Sequence, residues 1–516
     1  MEQTKFDLPD VRDLEVPSKA SSEKLELSEA ESLTWDDEEE TRIRRKLDWN
    51  VVPLVTLLYL LCFIDRANIG NARIQGMAKD LHLVGYRFNW ALTVFYFTYV
   101  LSVPPHPPQT RPQLTNRSVE IPSNTVLKLI GPRFWIPFLV AAFGVVSMCT
   151  AFVTSFQGLC VARAALGLAE GGTMPGIAFF LSCFYKRREL LFRVGIFVSA
   201  ASMAGAFGGL LATGLARIPP WGADSAPLHT WRNIFFLEGL FTIIVAGIAP
   251  FFMQTKPEEC KFLTPRERMI AAERLRREHK ADSHEIVQAQ HVKRAIFNIN
   301  NIVCALGFFC VNVTVQSFSL FLPSILADLG WTATKAQLYS VPPYCVAVVV
   351  AISIAFISDR TNLRGIYLAT FPLLCVIGFS ILRASDNANL KYMAVFFSAA
   401  GAFPGGPGFL SWGLNNASGP AVRAVSGAYI VSIGSLGAIV ATWTYLLSDA
   451  PDYPIGHTIN LCAQICVSLL ATFGLVYCVM ENRARARGKR DGRIEGLTAE
   501  EVRELGHRNP EFRYIP

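Results

Sequence analysis

Apolar residues in this chain come in blocks close to twenty long, separated by short polar turns. That block length is what a helix needs to cross a bilayer, and it is not the two- or three-residue alternation of a soluble fold. Read end to end, the blocks predict twelve spans, at about 51–72, 88–103, 134–154, 157–181, 192–216, 233–253, 299–322, 336–357, 365–383, 391–413, 423–447 and 458–480. The predicted class is an all-α membrane protein. A charged stretch, "KPEECKFLTPRERMIAAERLRREHKADSHE", divides the spans six and six. The predicted organisation is a disordered tail at 1–43, six spans within 44–253, a loop at 254–298, six spans within 299–482 and a second tail at 483–516. The first tail is acidic and has no apolar stretch of the kind that marks a cleavable signal.

Composition agrees with lipid as the solvent. Charged residues are 17% of the chain, against about 25% in soluble domains. The formal charge of +7 is carried by residues that flank the spans, so nucleic acid is not an expected partner. "RIRRK", "KRRELLFR", "DRTNLR" and "RARARGKR" fall on one side of a twelve-span chain. Lys and Arg in short loops mark the cytosolic side, so both termini are expected there, in the plasma membrane. The loop after span 1, with three basic residues, is an exception. The 12 Cys are scattered; Cys462 and Cys466 share a helical face without His or acidic company, and no disulfide framework, metal or cofactor is expected. The sequons at Asn116, Asn312 and Asn416 fall on the cytosolic side or inside a span, and no glycan is expected on them.

One segment breaks the pattern. "SVPPHPPQTRPQLTNRSVE", Ser102 to Glu120, is polar, rich in proline and unable to span. It is either a polar loop or an intron translated in frame; the second reading is favoured, because joining Leu101 to Glu120 gives span 2 a normal length.

Charge inside the spans carries the chemistry. "LLYLLCFIDRANIGNARI" sets Asp65 beside Arg66, span 4 holds Arg163 and Glu170, and span 6 holds Glu238 in "WRNIFFLEG". Each such residue at mid-bilayer costs about 2.5–3.5 kcal/mol on insertion scales. Arg163 and Glu170 lie on nearly one helix face but about 10 Å apart along the axis, too far for an i,i+4 pair. Their partners are therefore expected on span 1, in a neutral quartet of Asp65, Arg66, Arg163 and Glu170. Protonating one carboxylate of that quartet leaves an excess positive charge that attracts an anion, so proton and anion favour each other's binding. Arg66 would receive the anion and a neighbouring carboxylate the proton. Two other readings stand beside this one: a purely structural ion cluster, and Asp65 or Arg66 snorkelling from a helix end. The second half offers neutral groups instead: Asn301, Asn312, Gln316, Tyr344, Trp412, Asn415 and Asn416. These are either helix-packing hydrogen bonds or the neutral wall of a central cavity.

The motifs resemble a known family. "FISDRTNLRG" is similar to the major facilitator superfamily signature between spans 8 and 9, and "RAALGLAEGG" to its fourth-span motif. "FIDRANIGNA", "IPSNTVLKLIGPRFWI", "WRNIFFLEG" and the terminal "NPEFRY" resemble the fungal allantoate permease branch of the anion:cation symporters, which carry allantoate, nicotinate, pantothenate or biotin. The resemblance runs from about Arg44 to the end, and the Ser102–Glu120 insert departs from it. It implies two six-helix bundles rocking about a midplane site. It also implies roles: Asp65 and Glu170 as proton-coupling groups with Arg163 their partner, and Arg66 as the substrate-carboxylate contact. Asn68, Gln316, Trp412 and Asn415 would complete the substrate site. Asp359, Arg360 and Arg364 look like the loop latch, and Lys128 and Arg133, beside Gly131 and Pro132, like its counterpart without the acid. The expected function is proton-coupled import of a small organic anion, a vitamin or ureide carboxylate, by a monomer in the lipid bilayer. An efflux or facilitative carrier and a non-transporting nutrient sensor are the alternatives. No GxxxxGK[ST], HExxH or GxSxG occurs, and an enzyme is not expected.

Overall fold

The computed structural model describes residues 34–102, 130–222, 228–282, 289–361, 363–498, 502 and 505–516. Within them lie α1 (Asp37–Ala72), α2 (Arg87–Ser102), α3 (Pro132–Thr150), α4 (Phe156–Glu170), α5 (Thr173–Ser182), α6 (Arg187–Leu215) and α7 (Trp231–Phe252). Two helices of the central loop follow, α8 (Pro265–Asp282) and α9 (Ala289–Ile296). The second half comprises α10 (Ile299–Asp328), α11 (Ala333–Thr361), α12 (Arg364–Ala384), α13 (Ala388–Ala402), α14 (Gly405–Asn415), α15 (Pro420–Ala441) and α16 (Pro454–Ala486). These make the 12 spans of the predicted fold, because α4–α5 and α13–α14 are each one span interrupted near its middle. The interruptions fall at "EGGTMPG" and "AFPGGPG", in corresponding spans of the two halves. Glycine weakens a helix, and a proline four residues on frees a carbonyl. Broken helices at matching positions are a pointer to a binding site. Glu170 is the last residue of α4, at the first of these breaks.

Three parts differ from expectation. The first helix begins at Asp37, inside the stretch expected to be a tail; its first turn is acidic throughout, which suits the positive end of a helix dipole. There Glu40 pairs with Lys186 at 2.5 Å and Glu39 with Arg266 at 3.3 Å. The central loop is helical, and its two helices divide between the bundles. On α8, Glu267 accepts from Lys46 at 2.8 Å and Arg274 donates to Glu189 at 2.8 Å. On α9, Ala295 packs with Val422 and Val425 of α15. The end of the chain is folded rather than loose. Asn482 exchanges two hydrogen bonds with the Tyr514 backbone, at 2.8 and 2.9 Å. Asn416 does the same with Ile515, at 3.1 and 2.8 Å. Arg485 donates to the carbonyls of Phe512 at 2.6 Å and His507 at 2.9 Å. The Ser102–Glu120 segment lies outside the described residues beyond Ser102, where α2 ends after 16 residues.

The two bundles meet on the face opposite the termini. Gln75 donates to Gln337 at 2.9 Å, Thr213 to Gln337 at 3.1 Å and Asn89 to the Thr442 carbonyl at 2.6 Å. Trp443 donates to Thr93 at 3.0 Å, and nearer the middle Tyr96 donates to Gln316 at 2.7 Å. Glycine permits this closeness. A Cβ on Gly70 of α1 would stand 2.4 Å from the Leu320 carbonyl oxygen of α10. The far face is therefore closed, by these neutral hydrogen bonds and, just after α1, by Arg73, which lies within electrostatic reach of Asp328 across the interface. On the termini face an apolar cavity of about 530 Å³ runs along α1 and α6 from Asp48 to Leu60, with Arg193 and Ile196; it does not reach the ions described next.

Candidate functional site

Helix α1 organises the site, because its successive side chains reach three different helices. Ser147 of α3 donates to Asp65 at 2.9 Å. Arg66 donates to one oxygen of Glu170, at the end of α4, through Nε at 3.1 Å and Nη2 at 2.7 Å. Asn68 donates to Glu238 of α7. The Arg66 guanidinium lies against the rings of Phe63 at 4.6 Å, Phe95 at 5.3 Å and Tyr99 at 4.8 Å. Stacking of this kind holds a planar cation without neutralising it. Arg163 lies 5.8 Å from the Phe235 ring, within electrostatic reach of Glu170 and Asp65. Asp65, Arg66, Arg163, Glu170 and Glu238 are each no more than 6% exposed.

The quartet is thus brought together, but not in the expected pairing. One direct ion pair forms, Arg66–Glu170. Asp65 is held by a hydroxyl, and Arg163 by a ring and by longer-range attraction. The snorkelling alternative does not describe Asp65 or Arg66, since α1 stays helical beyond both and both are buried. The arithmetic also changes. Glu238 adds a third carboxylate to two guanidinia, so the cluster is balanced only with one proton aboard. Sequence reading noted this acid and gave it no role; its signal was a lone Glu in an apolar span.

Several polar atoms here have no hydrogen-bond partner among the described residues: Asp65 Oδ2, Glu170 Oε1, Glu238 Oε1, Asn68 Oδ1, Asn71 Oδ1 and Arg163 Nη2. Native interiors satisfy nearly all such atoms, so a concentration of exceptions needs an explanation. A site that exchanges protons and ligands supplies one.

In the second half, Gln316 alone of the expected substrate contacts faces the cluster's side, accepting from Tyr96 across the bundle interface. Trp412 and Asn415 are corrected. Trp412 is fully buried and donates to the Ile515 carbonyl at 2.8 Å. Asn415, with its amide oxygen turned toward Arg364, accepts from Nη1 at 3.0 Å and Nη2 at 3.2 Å. Both sit on α14, at the end where the C-terminal segment folds back, and their polar atoms are used there. Asn301, Asn312, Asn416 and Tyr344 also bond to nearby backbone or side chains, as packing groups do. Of the expected latch, Arg364 is engaged by Asn415 and Arg360 is exposed, while Asp359 is placed only by its backbone in α11. On the other half, Arg133 donates to the Pro250 carbonyl at 2.9 Å; Lys128 lies outside the described residues.

A family model for the Major Facilitator Superfamily matches residues 55–442. The chain belongs to this superfamily. An uncharacterized transporter of Schizosaccharomyces pombe is 31% identical over 91% of this chain and 93% of its own length. The high-affinity nicotinic acid transporter of Saccharomyces cerevisiae is 29% identical over 92% of this chain and 85% of its own. Among solved structures, a bacterial homolog of the human lysosomal transporter Spinster matches with TM-score 0.59 at 16% identity, over 83% of this chain and 96% of that one. The xylose transporter XylE of Escherichia coli gives TM-score 0.59 at 13% identity, over 81% and 96%. As a major facilitator protein, this chain is an integral membrane transporter of a small molecule and not an enzyme.

Proposed function

We propose that this transporter is a proton-coupled symporter that imports a small organic anion by alternating access, with both termini cytosolic in the plasma membrane. The observation that carries the reading is the buried Arg66–Glu170 pair, with the second Glu170 oxygen lacking a hydrogen-bond partner within contact distance among the described residues and the Cys62 thiol close by. In this arrangement the guanidinium fork is occupied by a carboxylate of the protein. A proton taken up by Glu170 on its open oxygen weakens that hold and frees the fork. A substrate carboxylate then takes the same two donors, a geometry to which Arg is matched. The three rings keep the guanidinium in place while its anion is exchanged. Loss of the substrate to the cytosol leaves Arg66 unpaired, which favours deprotonation and re-pairing of Glu170. Proton and anion therefore raise each other's affinity by the same factor. Asp65 and Arg163 stand close enough to tune this exchange, and Asn68 and Gln316 line its approach.

Among anions, nicotinate and allantoate are favoured by the resemblance of "FIDRANIGNA" and "NPEFRY" to the allantoate permease branch. The similarity to a nicotinic acid transporter supports the same class. The test is uptake of labelled nicotinate, allantoate and pantothenate in a transport-deficient host at two pH values. Acid-stimulated accumulation of one of them is expected. Flux without pH dependence would make the protein a facilitator, and binding without flux a sensor.

A further inference from the structure

Glu238 is a buried carboxylate that the coupling scheme above does not use. It is 6% exposed, and the charged group within its electrostatic reach is Asp65, a like charge. From α3, which packs along α7, Gly144 abuts Gly239 and Thr242 and Ser147 bonds Asp65; from α6, Gly208 abuts Asn68; none of these brings a cation. Its one partner is the Asn68 amide, whose nitrogen donates to Oε2. The other oxygen of Glu238 and the other polar atom of Asn68, Oδ1, are both partnerless. Two orphan acceptors on two side chains that are already joined have one simple resolution. A proton on Glu238 Oε1 turns that atom into a donor, and Asn68 Oδ1 becomes its acceptor. The two side chains then form the cyclic acid–amide pair, with two hydrogen bonds and no net charge. The same proton balances the cluster of three carboxylates and two guanidinia.

We propose that Glu238 and Asn68 form a proton-holding acid–amide pair, separate from the coupling pair, whose proton stays in place through the transport cycle. Glu170 releases its proton because a guanidinium waits beside it. Glu238 has no such cation, so expulsion of its proton would strand a charge next to Asp65. Glu238 is then a positioning residue: it pins α7 to α1 and sets the orientation of Asn68 beside Arg66. The clause about the cycle rests on the symport reading; the presence of the proton does not.

The experiment has two arms. Infrared difference spectra of the purified protein against Glu238→Gln read the carbonyl stretch of a protonated carboxyl without any need for transport. A band lost in Glu238→Gln and constant across the neutral pH range is expected. Its absence, or its titration in that range, overturns the proposal. In uptake assays Glu238→Gln, whose amide remakes the same two hydrogen bonds, retains transport within about threefold and keeps the parent pH profile. Glu238→Ala, which orphans both atoms of Asn68, loses it. Loss of driven uptake in Glu238→Gln with counterflow preserved would show instead that Glu238 exchanges its proton. If no tested anion is transported, the symport reading fails while the infrared arm still decides this one.

Discussion

Gly70 offers a direct test of the closed far face. It sits on α1, one turn beyond Arg66, where α1 and α10 cross between the bundles. A Cβ there would meet the Leu320 carbonyl oxygen at 2.4 Å and its carbon at 3.1 Å. Both are backbone atoms, so no side chain can swing away. Ordinary contact begins near 3.4 Å, so the two helices must part by about 1 Å to admit a methyl group. Overpacking of this kind costs about 1–3 kcal/mol. The cost falls on the far-face-closed state alone if the crossing opens during alternating access. Gly70→Ala then shifts the equilibrium toward the far-face-open state by about 5- to 150-fold. The reporter is Ser340→Cys, at a position 1% exposed beside Gln337. It is labelled with an impermeant thiol reagent from the far side, in a background stripped of reactive native cysteines. Labelling should rise in the Gly70→Ala background. Gly247→Ala, where a Cβ meets nothing within 4 Å, is the control and should change nothing. Unchanged labelling in well-folded Gly70→Ala protein would refute the reasoning, since the crossing would then not belong to the gate.

Four further outcomes are expected. Glu170→Gln leaves Arg66 without its buried partner, a cost of about 3–5 kcal/mol that a bound anion can relieve; proton-driven uptake should fall while counterflow survives, and undiminished driven uptake would remove Glu170 from coupling. Arg66→Lys keeps the charge but loses the two-donor fork, so substrate affinity should fall about tenfold or more, from the worth of one charged hydrogen bond; equal affinity in a binding assay excludes Arg66 from the site. Gln337→Leu removes the hub that bonds Gln75 and Thr213, so transport rate should change while the pH midpoint of uptake does not; a moved midpoint would place proton sensing in the gate. The fourth concerns the C-terminal segment, where burial, then Arg508, Arg485, Arg294 and Arg493, push the His507 imidazole down to about 4 from 6.5. The docked segment thus binds fewer protons than the released one, so docking is at full strength above pH about 6.5 and weakens as pH falls toward 4. Protease access to residues after Arg485 should rise in that window, and His507→Gln should flatten the response.

Much of this was legible from periodicity and charge, because lipid imposes one rule on every span. Block length placed most of the helices, though not the start of α1, and the unusual cost of intramembrane ions singled out Asp65, Arg66, Arg163 and Glu170. Pairing was not legible. Whether Asp65 meets a guanidinium or a serine hydroxyl depends on how α1 is rotated against α3, and no sequence spacing encodes that. Trp412 and Asn415 were misjudged for a related reason. A neutral polar residue in a span reads the same whether it faces a cavity or a packed neighbour, and here the far-distant Ile515 decides for Trp412 and Arg364 for Asn415. Asp37 to Ile43 was read as tail because its acids look like a solvated run; the partners of Glu39 and Glu40, on α8 and the α5–α6 loop, lie more than a hundred residues away.

The division of labour between the halves has a mechanical sense. The five buried ions of the cluster belong to one bundle, on α1, α4 and α7. On the proposed alternating-access reading, rocking one bundle against the other separates no pair of this cluster, a step that costs about 3–5 kcal/mol when a partner is lost. What must break are the neutral contacts of the far face, worth about 0.5–1.5 kcal/mol each. Tyr96–Gln316 is the contact of this neutral set nearest the cluster, because Tyr96 lies on α2 one turn from Tyr99, whose ring covers Arg66. On the proposed reading, an anion at Arg66 would arrive beside the Tyr99 ring, one turn of α2 from this bond. With the Gly70–Leu320 crossing, that contact is a physical route by which occupancy of a charged site in one bundle would reach the seal to the other.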